Sequence, residues 1–113
     1  MTKLTKKYQI LVKLFPYLTK KRQKLILASA DNEFINLVSE CCFNYLRLLN
    51  KKKSNKNRKY IKTINYLKDH SNSYTSKKKV LKQKGGSLLT FLFRAVAPII
   101  ANLFTLLIII NNG

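Results

Sequence analysis

The last quarter of the chain is an almost wholly apolar run, and it constrains the fold more than any other feature. Residues 88–110 carry one charge, Arg94, and follow the glycine pair Gly85-Gly86. As a helix this run would be roughly 35 Å long, enough to cross the hydrocarbon core of a bilayer, which is about 30 Å thick. Three environments suit it: it spans a membrane, it acts on a membrane when exposed, or it packs as the buried central helix of a domain.

Positive charge dominates everything that precedes this run. The chain has 113 residues with 23 Lys+Arg, 4 Asp+Glu and a net charge of +19, and only Arg94 of the basic residues lies after residue 86. Such a charge opposes compaction by self-repulsion unless an anionic partner neutralises it. The sequence therefore predicts a polyanionic partner for residues 1–86, either nucleic acid or an anionic membrane surface.

Local signals predict an all-α fold: a small bundle of four or five short basic helices plus a long apolar C-terminal helix. Pro16 ends the first helix, and Thr19 caps a second one. A central helix over about residues 32–49 starts at Asp31 or Asn32. Ser54 and Ser76 are the predicted caps of two further helices. The predicted core positions are Leu11, Leu25, Leu37, Cys41 and Ile64.

The composition shift divides the chain into three predicted parts. Residues 1–84 form a basic helical domain, residues 85–86 a Gly-Gly hinge or processing site, and residues 87–113 an apolar segment. The length allows one domain at most. Glycine after a helix is a common C-terminal signal, so Gly85-Gly86 is expected to end the fifth helix.

Residues suited to catalysis or metal binding are scarce. His70 is the only histidine, and it lies in a polar stretch. Cys41 and Cys42 are adjacent on the predicted central helix and fit buried structural thiols. A zinc site needs about four ligands at characteristic spacing, which these residues do not supply. We therefore predict a non-enzymatic protein without a metal or cofactor.

Clusters of lysine and arginine are the strongest functional signal. Lysines greatly outnumber arginines, which favours phosphate contacts over the reading of base edges. The candidate nucleic-acid-binding residues are Lys20, Lys21, Arg22, Lys24, Lys51, Lys52, Lys53, Lys56, Arg58, Lys59, Lys77, Lys78, Lys79, Lys82 and Lys84.

The order of these features resembles a viral family. The stretch KKKVLKQKGG at residues 77–86, the apolar SLLTFLFRAVAPIIANL after it and the central RQKLILASADNEFINLVSECCFNYLRLL are similar to core protein X, the mu precursor, of adenoviruses. They are more similar still to the small basic proteins of adintoviruses and Polinton-type elements, over roughly residues 18–105. The resemblance implies a virion component that binds and condenses double-stranded DNA beside other virion proteins, in the virion and in the host nucleus or cytoplasm.

The same resemblance implies processing by an adenovirus-type cysteine protease. The candidate site consists of Gln83, Lys84, Gly85 and Gly86, with cleavage before Ser87. Sites in the family carry Leu, Ile or Met at the position of Gln83, so this chain departs from the pattern there.

A different class of function also fits the charge distribution. A C-terminal membrane anchor would place the basic part against anionic lipids on the cytoplasmic side, as the positive-inside rule expects. Arg94 lies near enough to the start of the apolar run to reach the interface. The alternative prediction is thus a small membrane protein with membrane lipid as its partner.

Overall fold

The described part of the protein is entirely helical. The computed structural model describes the backbone of residues 8–52 and 58–112, and the side chains of all of these residues except 50–52, 58 and 99–112. These residues form five α-helices and one short 3₁₀ turn, and the described residues contain no strand, which confirms the predicted all-α class. The helices are α1 (Gln9–Leu14), α2 (Lys20–Ala28), α3 (Asn32–Lys52), α4 (Arg58–Lys68) and α5 (Tyr74–Asn112), with the 3₁₀ turn at Phe15–Tyr17.

Capping residues set the first helix boundaries as predicted. Pro16 lies in the 3₁₀ turn that ends α1. The hydroxyl of Thr19 accepts a hydrogen bond from the backbone N–H of Arg22 at 3.3 Å and caps α2. The carboxylate of Asp31 accepts one from the N–H of Phe34 at 2.8 Å and begins α3. Each bond satisfies an amide that the first turn of a helix leaves without a partner.

The predicted cap of the last helix is three residues too late. The backbone N–H of Ser76 donates to the hydroxyl of Ser73 at 3.2 Å, so Ser73 is the cap and α5 begins at Tyr74. Ser76 instead hydrogen-bonds the hydroxyl of Tyr66 on α4. The prediction failed because Ser73 and Ser76 both precede the helical run, and the sequence does not show that Ser76 contacts Tyr66 on α4. Ser54 lies outside the described residues.

Helix α5 contains a kink at the glycine pair. Gly85 has a φ of +68°, so the helix before it and the helix after it meet at an angle. We call residues 74–84 the basic half of α5 and residues 86–112 its apolar half. The predicted break at the glycines is thus present as a kink between two helical segments, and the described residues contain no long apolar helix of the predicted kind.

The apolar half of α5 supplies the centre of the core. Its side chains pack in one hydrophobic cluster with α1, the 3₁₀ turn, α2, α3 and α4. Phe93 meets Phe15 edge to face, with ring centroids 5.4 Å apart. Among residues 86–98, whose side chains the structure describes, the fully buried ones are Leu88, Leu89, Leu92, Phe93 and Val96. One side of the helix over residues 88–96 therefore belongs to the core that the preceding helices share.

The described residues include no helix with the length and apolarity needed to cross a bilayer.

Most of the predicted core positions are buried. Leu37, Cys41 and Ile64 are buried, and Leu11 packs against the cluster while partly exposed. Leu25 was predicted wrongly, because it is 61% exposed. Helix α2 turns Gln23 and Leu27 inward, and a residue two positions from each points to the opposite side of a helix.

Candidate nucleic-acid interface

Helix α2 displays four of the predicted basic residues to solvent. Its buried face is narrow, consisting of Gln23 and Leu27, so the rest of the helix surface is free for charge. Three cations in the first turn oppose the helix dipole, which disfavours the helix until an anion lies nearby. The exposed residues are Lys20, Lys21, Arg22 and Lys24.

The basic half of α5 forms the second cationic surface. Lys79, Lys82 and Lys84 are exposed and Lys78 is half-buried, and Lys59 on α4 is exposed as well. Sequence reasoning missed one further exposed lysine on α4, Lys62, because it lies outside the dense clusters. Lys53 and Lys56 lie outside the described residues. The side chains of Lys51, Lys52 and Arg58 do too.

Lys77 does not belong to this surface, which corrects its assignment as a phosphate ligand. It is only 4% exposed, and its Nζ donates a hydrogen bond to the hydroxyl of Ser39 on α3 at 3.2 Å. Ser39 in turn donates to the carbonyl of Leu67 at 2.7 Å. Lys77 lies one helical turn before the buried Leu81, on the side of α5 that faces α3. A run of three lysines cannot show which member turns inward.

Three of the acidic residues accept hydrogen bonds within the fold. Asp31 caps α3, and Glu33 accepts a hydrogen bond from the hydroxyl of Tyr8 at 2.7 Å. Asp69 accepts from the backbone and the hydroxyl of Ser71 at 3.0 and 2.8 Å. These two bonds hold the pKa of the Asp69 carboxyl below its ordinary value. Asp31 and Asp69 thus bind the backbone of a cap and a turn, and Glu33 binds a side chain from the start of α1.

A groove runs between α2 and the apolar half of α5. It has a volume of about 890 Å³, and Tyr60 of α4 closes one side. Tyr60 and Phe91 line it with their rings, and Thr90 and Ser87 with hydroxyls. None of the described lining residues is acidic. Four lining residues are cationic: Lys20, Lys24, Lys84 and Arg94.

The fold thus joins predicted residues from two separate clusters around one cavity. Lys20 and Lys24 come from α2, and Lys84 from the end of the basic half of α5. Sequence reasoning missed Arg94, which we assigned to a membrane interface, and Phe91, which lies inside the apolar run. Spacing along one helix could not have revealed this site, because three helices contribute to it.

Gln23 forms the base of the groove and explains the second glycine. Its side-chain amide donates to the carbonyl of Phe15 at 2.9 Å and to the hydroxyl of Thr90 at 3.2 Å. A Cβ on Gly86 would overlap this side chain. Gly85 has open space around it but needs its positive φ, which favours glycine. Both glycines therefore have structural roles.

The predicted cleavage site lies within α5. Gln83, Lys84 and Ser87 are exposed, while Gly85 and Gly86 are half-buried. The hydroxyl of Ser87 donates to the carbonyl of Lys84 at 3.2 Å, across the glycines. A protease that binds extended Gly-Gly segments would need this part of the helix to open first. Cleavage after Gly86 stays a prediction.

The cysteines and the histidine lie in different environments. Both thiols are buried. Burial, with a smaller contribution from Glu40, raises the pKa of Cys41 to about 12. Burial and then the neighbouring Cys41 also raise the pKa of Cys42, against a lowering effect of Lys77. His70 is exposed in the loop between α4 and α5. Within the described residues, no group of three or more His, Cys, Asp or Glu could hold a metal ion.

Comparison of the chain with models of known protein families, with curated proteins and with solved structures gives no significant match. The resemblance to the adenoviral and adintoviral basic proteins therefore stays a prediction.

Proposed function

We propose that the protein binds and condenses double-stranded DNA through phosphate contacts, without sequence preference and without catalysing a reaction. The observation that carries the proposal is the exposed cationic surface of α2 and the basic half of α5, in a chain with a net charge of +19. Lysine ammonium groups bind phosphates as point charges, and each neutralised phosphate releases counterions.

The chemistry of this surface favours phosphate over base-edge recognition. Arg22 is the one arginine among the exposed residues of the α2 cluster, so the paired donors that read guanine are scarce there. The acids that could neutralise the surface are few, and Asp31, Glu33 and Asp69 already accept hydrogen bonds within the fold. The proposal includes a virion-type role beside other virion proteins, following the resemblance described above.

The apolar half of α5 has a structural place in this proposal. Its buried residues from Leu88 to Val96 hold the basic helices in one body, so that lysines from different helices present a common cationic surface. We propose that the predicted long apolar helix extends this role beyond residue 98 by packing in the core or by contacting a membrane.

A salt titration of DNA binding tests the proposal. Two duplexes of unrelated sequence and equal length should bind with equal affinity. The logarithm of the binding constant should fall linearly with the logarithm of the salt concentration, by about 0.9 for each phosphate neutralised. Light scattering near charge neutrality should report condensation. Sequence-selective binding, or no binding at low salt, would exclude the proposed function.

A variant on α2 provides the matched comparison. Replacing Lys20, Lys21 and Lys24 by glutamine removes three exposed ammonium groups and keeps the helix-forming character of the segment. The salt slope should fall by about 3 in magnitude if all three contact phosphate. An unchanged slope with an intact fold would show that α2 does not face the DNA.

A further inference from the structure

The groove between α2 and the apolar half of α5 carries an inference that rests on the proposed function and goes beyond it. We propose that this groove binds an unpaired nucleotide of a nucleic-acid strand, with the base against the aromatic rings and the phosphates at the cationic rim. The protein would then recognise strand ends, gaps or single-stranded segments in addition to coating duplex.

The aromatic wall of the groove is already organised. The rings of Tyr60 and Phe91 lie 5.0 Å apart between centroids and are tilted by 31°. Tyr45 braces Phe91 edge-on at 5.4 Å and 71°. The two rings face each other, so a base would stack on an outer ring face, and rings held in this way lose little side-chain entropy when it does. Base–aromatic stacking is the main device of proteins that bind single strands.

The rim supplies the complementary charge. Lys20, Lys24, Lys84 and Arg94 line the groove, and no described lining residue is acidic. Arg94 also lies over the ring of Tyr17, with its Cζ 5.9 Å from the centroid, so its guanidinium contacts a ring beside the groove as well as lining the groove. Cations beside the aromatic wall match a ligand with a phosphate at one end and a planar ring at the other.

Size and polarity favour a nucleotide over the other anionic occupants. A cavity of about 890 Å³ is in the range of small-molecule sites and admits a nucleotide, whereas a base pair within a duplex has no exposed ring face to stack. The hydroxyls of Ser87 and Thr90 line the same space and suit the polar edge of a base. The acyl chain of an anionic lipid would instead cover these hydroxyls and the lysines without offering them hydrogen bonds, which is unfavourable.

The experiment compares the full chain on two DNA ligands by fluorescence anisotropy at one moderate salt concentration. One ligand is a blunt duplex, and the other is the same duplex with a short thymidine overhang. The overhang should bind about tenfold more tightly, since stacking of one base contributes about that factor or more. Equal affinity for both ligands would overturn the groove proposal and leave the proposed function standing. Failure of the blunt duplex to bind, while the overhang ligand still binds, would overturn the proposed function alone.

Two matched variants locate the effect. Phe91→Leu removes the ring while keeping an apolar side chain, and it should abolish the overhang preference without changing duplex affinity. Phe43→Leu makes the same substitution on α3 at a ring that is 49% exposed outside the groove, and it should keep the preference. Loss of the preference in both variants, or in neither, would contradict the groove assignment.

Two pairs of charge substitutions provide a second test in case the Phe91→Leu variant does not fold. Lys24→Gln with Arg94→Gln removes two rim charges, and Lys79→Gln with Lys82→Gln removes two exposed charges elsewhere on α5. Only the first pair should reduce the overhang preference. Vesicles rich in phosphatidylserine test the competing occupant. If they displace the overhang from the protein while failing to bind the Phe91→Leu variant, the groove is a lipid site and the proposal is wrong.

Discussion

Gly85 and Gly86 are adjacent, and they are glycines for different physical reasons. Gly85 has a positive φ, which favours glycine, whereas a Cβ on Gly86 would overlap the side chain of Gln23. We expect Gly86→Ala to lower the free energy of unfolding by about 1–3 kcal/mol, the usual cost of overpacking. Gly85→Ala should cost about 1–3 kcal/mol through its backbone conformation alone, since a φ of 68° with a ψ of −161° is essentially restricted to glycine. Urea unfolding followed by circular dichroism measures both.

Shortening Gln23 separates the two causes. In a Gln23→Ala background the contacts of a Cβ at position 86 with Oε1 and Cδ disappear and only the 3.2 Å contact with the Cβ of residue 23 remains, so Gly86→Ala should cost clearly less. Gly85→Ala should keep its full cost there, since nothing surrounds its Cβ position. A double-mutant cycle gives the coupling energy. Coupling of Gly85 to Gln23, or none for Gly86, would refute these roles.

Cys41 and Cys42 should be inert in the folded protein. Both thiols are buried, and burial raises the pKa of each, that of Cys41 to about 12. The thiolate is the reactive form, so little of it exists at pH 8. We expect Ellman's reagent to label the native protein at least about 100-fold more slowly than the unfolded chain, through transient opening. Rapid labelling of two thiols under native conditions would contradict the burial.

At the scale of elements, a run of lysines on one helix serves two purposes. Lys79 is exposed, whereas Lys77 is buried against α3. Lys79→Met should weaken DNA binding and lower the magnitude of the salt slope by about 1. Lys77→Met should leave affinity and slope unchanged. It should not reduce stability, because a buried charge replaced by an apolar chain of similar size is often neutral or favourable.

The Lys77→Met and Lys79→Met variants serve as controls for each other. Both variants lose one positive charge, so any effect of net charge on binding appears in both. A salt titration on the same duplex and an unfolding curve give the two readouts. An equal reduction of the salt slope in both variants would mean that Lys77 contacts a phosphate, which would contradict its burial against α3.

At the scale of the whole molecule, the apolar half of α5 decides whether the chain folds. A chain that ends at Gly86 loses the five fully buried residues between Leu88 and Val96. Each contributes about 1.5–3 kcal/mol, and their sum is comparable to the whole stability of a typical domain, about 5–15 kcal/mol. We expect this chain to show no cooperative thermal transition.

A chain that ends at Pro98 is the control for that truncation. It keeps every residue of the described hydrophobic cluster, so it should unfold cooperatively near the temperature of the full chain. Circular dichroism during heating measures both. A cooperative transition in the chain ending at Gly86 would show that residues 1–84 form an independent domain, as the composition shift predicts.

The net charge of +19 predicts a linkage between binding and stability. Self-repulsion opposes the compact state, and a polyanion that binds the folded protein relieves it. Binding at 100 times the Kd stabilises by about 2.7 kcal/mol. The melting temperature should therefore rise with added duplex DNA, and the rise should shrink as salt is added. A melting temperature that is unaffected by DNA at low salt would count against the proposed interface.

The helices follow largely from local signals in the sequence. Pro16, Thr19 and Asp31 act on their own backbone or on amides three residues away, so their effects need no knowledge of the fold. The kink at Gly85 is local for the same reason. The charge and its concentration before residue 87 are properties of the chain alone. The sequence by itself therefore determined an all-α chain with a cationic first part and a break at the glycines.

Tertiary structure decided which side of each helix lies inside. On α2, Gln23 and Leu27 are buried and the predicted core residue Leu25 is exposed. On α5, Lys77 is buried although it belongs to a run of three lysines. The cap of α5 moved to Ser73 because Ser76 meets Tyr66. The apolar run supplied the core at residues 88–96, and the groove joined side chains from α2, α4 and α5. Periodicity records the faces of one helix, whereas burial depends on which faces of several helices meet, and that information lies between elements rather than within them.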